Sequence, residues 1–433
     1  MTSAADEASR LESRPDGAWV AKVTAAGVLG FALAWVAVLF LAEHGLYGAP
    51  EVSLQVDLYR QYATDVLAGH LPYRDFAVEY PPLSLIPILL PALVGGPTLA
   101  AAGYQVGFEI VMAVIGMLTL VVVVRTARTL ALGRRGLLGV AAFVAVSPIM
   151  VGPLLVARYD LWPVLLTAAT MWAISSDRYR LAAIALGLAI LAKVYPVILL
   201  PMIAVHLWRR DGLQTGIHFG LITIATVFAG VAPFYLVAPG GILDATIRAF
   251  QRPLQVESIG ASLLYLANLT FGLRLHMVHT FDSYNLDGSL PDLVGAVQTI
   301  VLGAAAVAII VLLYRGEPTL ERLVLACGAA LTAYVAFGRV FSPQYVIWLI
   351  APVAIVRVRR PHVPLVALIV ALLLTSWYYP RWYVDYYVVE KPLWIAVVIG
   401  RNLVLAALSL YLITRLVPSR SERAVAPAGA LAT

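Results

Sequence analysis

Long apolar runs separated by short polar intervals set the plan of this 433-residue chain. A run of about 20 apolar residues is enough to cross a hydrocarbon core of about 30 Å as a helix. Residues 20–41 form the first such run and 100–124 the second. Between them, residues 82–94 are apolar but short, and Pro87 and Pro91 interrupt them. That pattern predicts an interfacial or re-entrant helix, not a full crossing. Residues 137–156 and 161–174 follow, joined by a tight turn at Arg158-Tyr159-Asp160. Residues 181–191 and 194–205 read as a shallow hairpin with Lys193 near its tip. Further runs occupy 217–237, 293–314, 323–337, 346–356, 363–377 and 393–416. No tandem repeat of fixed period and no inverted repeat is visible, which disfavours the common transporter architectures.

The charges orient these runs. Arg125, Arg128, Arg134 and Arg135 follow the second full crossing, and clustered arginines mark the cytoplasmic side. The N-terminus is then cytoplasmic, and the polar interval 43–80 is outside. The arginine-bearing intervals at 175–180, 206–212, 315–322 and 357–360 then fall on the cytoplasmic side as well. The expectation is an all-α, polytopic membrane protein with about twelve transmembrane helices and both termini cytoplasmic. Its parts are a cytoplasmic tail at 1–18, a transmembrane domain at 19–417, and a disordered cytoplasmic tail at 418–433. The domain includes a first outer loop at 43–80 and a long outer loop at 238–290.

Composition agrees with that class. Only 12% of residues are charged, half the share usual in soluble domains. The net charge of +6 sits in cytoplasmic loops and needs no nucleic acid partner. Cys327 is the single cysteine, which excludes a disulfide framework and any cysteine-based metal site. The polar, acidic start lacks the features of a cleaved leader, so the first run is expected to be retained. Gly-rich phosphate loops, HExxH and GxSxG motifs are all missing. No cytoplasmic loop is long enough to fold into a nucleotide-sugar domain.

Chemistry collects in the outer intervals, above all in QVDLYRQYATDVLAGHLPYRDFAVEYPPLSL at 55–85. Asp57 there reads equally well as a general base, its pKa raised beside hydrocarbon, or as an N-cap of the following helix. Glu79 is a second acid, more simply a partner of Arg74 or Arg60. Tyr59 and Tyr80 flank these acids. Arg158 and Asp160 read first as an ion pair closing their turn, and Arg158 alternatively as a planar phosphate ligand. Lys193 has no charged neighbour in sequence, and a lone cation at an outward tip suits a lipid phosphate. Arg252, Gln255 and Glu257 in QRPLQVES, and Arg339 and Gln344 in GRVFSPQY, supply the amides and charges that read sugar hydroxyls, although either segment also reads as a turn. The aromatic interval 376–392 reads as an interfacial belt.

Taken together, VDLYRQYATDVLAGHLPYRDFAVEYPP, RYDLWPVLL, LAKVYPVILLP, QRPLQVES and VFSPQYVIWL resemble the GT-C integral-membrane glycosyltransferases. The closest branch is the actinobacterial polyprenol-phosphate-mannose-dependent α-mannosyltransferases of glycosyltransferase family 87. The resemblance runs in order from the first crossing to about residue 350. It implies a GT-C fold in the cell membrane, with outer-face juxtamembrane helices and an active site on the outer face. The implied donor is mannose on polyprenyl phosphate, and the acceptor an envelope glycolipid or glycan. Transfer would invert the sugar, with a carboxylate of the first outer loop, here Asp57, as the base. The implied donor-phosphate ligands are Lys193, Arg158 and Arg252. Substrate contacts would come from Tyr59, Glu79, Tyr80, Asp160, Gln255, Glu257, Arg339 and Gln344. Asp57 is followed by Leu58-Tyr59, so the DxD-like pair common in GT-C members is missing, and neither a metal nor another cofactor is expected. The rival reading is a transporter or flippase of lipid-linked sugars, which would grip phosphate but need no base.

Overall fold

The computed structural model describes residues 15–47, 50–95, 100–281 and 283–418. The tails expected at 1–18 and 418–433 lie mostly outside the described residues. In chain order the first helices are α1 (Gly17–Glu43), α2 (Pro50–Leu67), α3 (Leu85–Gly95), α4 (Ala101–Thr129), α5 (Arg134–Val151) and α6 (Pro153–Ala157). Next come α7 (Leu161–Ser175), α8 (Tyr179–Ala192), α9 (Leu199–Asp211), α10 (Leu213–Val237) and α11 (Pro239–Phe250). After strand β1 (Leu254–Gln255) and helix α12 (Ile259–Phe271), strands β2 (His276–Thr280) and β3 (Ser283–Asp287) form a hairpin. The last helices are α13 (Ser289–Arg315), α14 (Leu320–Phe337), α15 (Ile350–Ala354), α16 (His362–Tyr378), α17 (Tyr383–Tyr387) and α18 (Pro392–Arg415).

The expected all-α membrane architecture is present. Among the described residues, seven helices are long and apolar enough to cross a membrane: α1, α4, α5, α10, α13, α14 and α18. The remaining runs counted as crossings are shorter. Helix α8, for example, has 14 residues, or about 21 Å at 1.5 Å per residue, short of a hydrocarbon core.

Local chemistry sets the ends. The Asp16 carboxylate accepts from the Trp19 amide at 2.7 Å and starts α1. Ser258 caps α12 in the same way, and left-handed Gly272 ends it. The run at 137–156 is not one helix. Gly152 breaks it with φ of 63°, and an added Cβ there would lie 2.9 Å from the Tyr47 ring. Pro153 then opens α6.

The interval 238–290 holds more order than a loop. The amphipathic helix α11 and α12 flank a three-stranded antiparallel sheet in the order β1-β3-β2. Leu254 pairs with Leu286 and Gln255 with Asn285, and both leucines are buried. Helix α1 packs on α5, α4 on α7, α7 on α8, and α8 on α10, while α14 and α16 pack on α18. The α7–α8 contact brings the start of α7 beside the end of α8, and the polar site assembles there.

Candidate active site

Asp160 stands at the start of α7 and Lys193 caps the end of α8. Asp160 is 1% exposed. Its Oδ1 accepts from Lys193 Nζ and from Trp348 Nε1, both at 2.6 Å. Trp348 is held in turn by stacking between Tyr195 (centroids 4.1 Å apart, planes at 6°) and Tyr345 (3.8 Å, 25°). Lys193 Nζ lies 4.8 Å from the centre of the Tyr159 ring and 5.3 Å from that of Trp348. Burial lowers the ammonium's pKa, Asp160 opposes that shift, and the nearby Arg158 and Arg252 add to it.

Arg158 takes a different direction. Its backbone is extended, with φ −122° and ψ 140°, and its side chain leaves Asp160 for α2. Nη1 donates to Gln55 Oε1 and Nη2 to the Tyr379 hydroxyl at 3.4 Å. The expected Arg158–Asp160 ion pair is therefore not formed, because the carboxylate belongs to Lys193 and Trp348. Gln55 Nε2 also donates to the Tyr80 hydroxyl at 3.0 Å. Burial pushes that phenol up to about 12. Tyr59, Tyr80 and Tyr159 meet edge to face, with centroids 5.0 to 6.1 Å apart.

The third cation comes from the far segment. Arg252 Nη2 donates to the Phe281 carbonyl at 3.1 Å and to Ser283 Oγ at 2.9 Å, which ties it to the hairpin. Gln255 is zipped to the 338–345 segment: its amide donates to the Arg339 carbonyl at 3.0 Å and its Nε2 to Ser342 Oγ at 3.0 Å. Two residues on, the Gln344 Oε1 is buried with no hydrogen-bond partner among the described residues. Tyr345 lies within reach of the fields of Arg252, Asp160 and Arg158 together. The structure thus gathers Arg158, Lys193, Arg252, Asp160, Tyr59 and Tyr80 into one region, with Gln255 and Gln344 on the adjoining segments and Arg339 tied in through its backbone carbonyl.

Asp57 is placed apart from that cluster. It lies seven residues inside α2, so the capping role is excluded. Helix α2 buries Val56, Tyr59, Tyr62 and Ala63 and turns Gln55 to Arg158. Asp57 points to the opposite, exposed face, 3.7 Å from Arg60 Nε. There it lines an open cavity of about 440 Å³ with Arg60, Gln61, Thr64 and Asp65. Glu79 is exposed beside Tyr80, while Arg74 pairs with Asp75 at 2.9 Å.

Glu257, expected to touch substrate, is instead an internal group. It is fully buried with Arg401, whose Nη1 lies 3.7 Å from its Oε2. Burial raises the carboxyl to about 7 against the opposing pull of Arg401. Arg401 also donates to the Tyr378 hydroxyl at 2.7 Å, to the Glu257 carbonyl at 2.8 Å and to Asn402 Oδ1 at 3.1 Å. The aromatic interval is not mainly a surface belt. Tyr378, Tyr379, Tyr383, Tyr386 and Tyr387 are all buried, whereas Trp377 is exposed.

Gln55, Trp348, Tyr379 and Arg401 were not among the residues expected from sequence. Arg401 had a signal, since a cation inside the apolar run IAVVIGRNLVL must find an internal partner. Gln55 and Trp348 had none, because their partners lie 103 and 188 residues away.

A helical membrane bundle with a half-buried cluster of cations, tyrosines and amides suits an enzyme that handles an anionic, hydroxyl-rich substrate. Residues 78–343, more than half of the chain, match glycosyltransferase family 87. The protein belongs to this family and is a membrane glycosyltransferase. It is also similar to the Archaeoglobus fulgidus oligosaccharyltransferase in its apo crystal form, at 13% identity and a TM-score of 0.42. That likeness covers 93% of this chain but 56% of the other, so the chain spans little more than half of that protein's length. No curated protein matches the chain.

Proposed function

We propose that the enzyme transfers mannose from a polyprenyl-phosphate donor to an envelope glycolipid or glycan at the outer face of the cell membrane, with inversion. The observation that carries this reading is the charge of the half-buried cation cluster. Arg158 and Arg252 lie close enough to Lys193 to disfavour its charge, and the carboxylate paired with Lys193 is the buried Asp160. Half-buried cations in such excess are costly unless an anion joins them, and a phosphate suits the forked guanidinium. Glycosidic C1–O bond cleavage leaves its electron pair on the phosphate oxygen, and the cations stabilise that charge as it develops. The acceptor oxygen attacks C1 from the opposite side, and Asp57 receives its proton. Asp57 lies on the face of α2 opposite Gln55, which holds Arg158, so this mechanism requires α2 to turn its exposed edge toward the sugar before transfer.

The test is an in vitro transfer assay with purified protein, polyprenyl-phosphate-mannose and a panel of glycolipid acceptors. Wild type should form product. Asp57→Asn should lose transfer by about 10²-fold or more while still binding the donor. Normal transfer by that variant would remove Asp57 as the base, and a wild type inactive on every polyprenyl-phosphate sugar would remove the donor assignment.

A further inference from the structure

We infer that Asp160 is a resident counter-ion of the cation cluster, competing with the substrate's phosphate for Lys193 and thereby setting how readily the phosphate product leaves. This rests on the donor reading above. A carboxylate that served only to lock two elements together would have both oxygens engaged. Asp160 does not. Its Oδ1 takes both donors, Lys193 Nζ and Trp348 Nε1 at 2.6 Å each. Its Oδ2 is buried with no hydrogen-bond partner among the described residues. Half of the carboxylate is thus held in a fixed orientation while the other half stays uncommitted beside Lys193.

The chemistry of transfer gives such a counter-ion a purpose. A glycosyl phosphodiester carries one negative charge. When its C1–O bond breaks, the departing polyprenyl phosphate is a monoester with a second ionisation near neutral pH, so it carries between one and two. Three cations suited to the diester would hold the monoester more tightly still, and release would slow. Asp160 offsets one of the three. In the structure Lys193 is paired with it; as phosphate arrives, Lys193 Nζ shares its protons between Asp160 and the phosphate, and when the product's charge rises Asp160 repels it. Trp348 Nε1 stabilises Asp160 as an anion and, by holding Oδ1, limits how fully the carboxylate can claim Lys193.

Two substitutions move product affinity in opposite directions, which a merely structural role would not do. Asp160→Asn keeps the shape and an acceptor oxygen but removes the charge. It should bind polyprenyl phosphate roughly tenfold more tightly than wild type, the scale of one charge-assisted hydrogen bond. Its kcat should fall with donor KM changed less. Trp348→Phe removes one donor from Oδ1, leaves Asp160 to Lys193 alone, and should weaken the same binding. Direct binding of a polyprenyl phosphate in detergent micelles at neutral pH reads both. Equal or weaker binding by folded Asp160→Asn overturns the counter-ion role. If that variant fails to fold, unchanged or tighter binding by Trp348→Phe overturns it. A wild type that binds no polyprenyl phosphate overturns the donor reading itself, and this inference with it.

Discussion

Arg401 offers a quantitative test of what holds the segment beside the polar site. It is fully buried, within the span α18, and its guanidinium serves four groups: Tyr378, the Glu257 carbonyl, Asn402 and the Glu257 carboxylate. Arg401→Met keeps an unbranched apolar stem and deletes all four. Removing one partner of a buried pair costs about 3–5 kcal/mol. The three hydrogen bonds belong to the same group, so their individual worths of about 1.5–3 kcal/mol each do not add to that figure. The expected loss is therefore about 4 kcal/mol near neutral pH. Glu257 can soften it by taking up a proton, because its carboxyl already lies near 7 with Arg401 present and loses a downward pull without it. The cost should shrink at pH 5 and be greatest at pH 8. Adding Glu257→Gln to Arg401→Met should restore about half of the loss, since no charge is then left uncompensated. Reversible unfolding in mixed detergent micelles, followed by circular dichroism, measures all three variants. A loss below about 1 kcal/mol, or a double variant no more stable than the single, would refute the reasoning.

Two further predictions concern Glu257 and α11. In wild type, the raised Glu257 carboxyl binds a proton in the folded state that the unfolded chain has already lost. Its stabilising contribution is full below its ordinary value of 4.5 and is lost as pH rises through about 7. Unfolding free energy should fall by up to about 3 kcal/mol across that window, and Glu257→Gln should flatten the slope. At Gly241 in α11, an added Cβ would fall 1.8 Å from the Tyr73 carbonyl oxygen, whereas at Gly240 it would meet nothing within 4 Å. Gly241→Ala should lift α11 from the 71–76 turn at a cost of about 1–3 kcal/mol, seen as faster hydrogen exchange in residues 239–250. Gly240→Ala should leave that exchange near wild type.

The spans were legible in the sequence because an apolar run of full length has few alternatives. The runs behind α1, α4, α10, α13 and α18 needed only small changes at their ends. The sheet was not legible, since β1 is two residues long and its register depends on Asn285 and Leu286, about thirty residues away. The tyrosines at 378–387 were misread because a dense aromatic run gives the same signal for a membrane interface and for a packed core. Within the site, Lys193 and Arg158 stood out as cations in apolar surroundings. Their partners did not, because Lys193–Asp160 and Arg158–Gln55 are contacts across 33 and 103 residues. Family resemblance supplied Asp57, and the structure adds the direction in which it points.

That direction bears on a side reaction. A sugar bonded to phosphate is activated toward water as much as toward a hydroxyl group of the acceptor. The carboxylate proposed to deprotonate the attacking group sits on the exposed face of α2 with Arg60, while Gln55 on the other face holds Arg158. With α2 in this orientation, water polarised by Asp57 would be screened by the thickness of a helix from a donor bound, as proposed, at Arg158. On the proposed mechanism, this would suppress futile hydrolysis of the donor until the acceptor arrives.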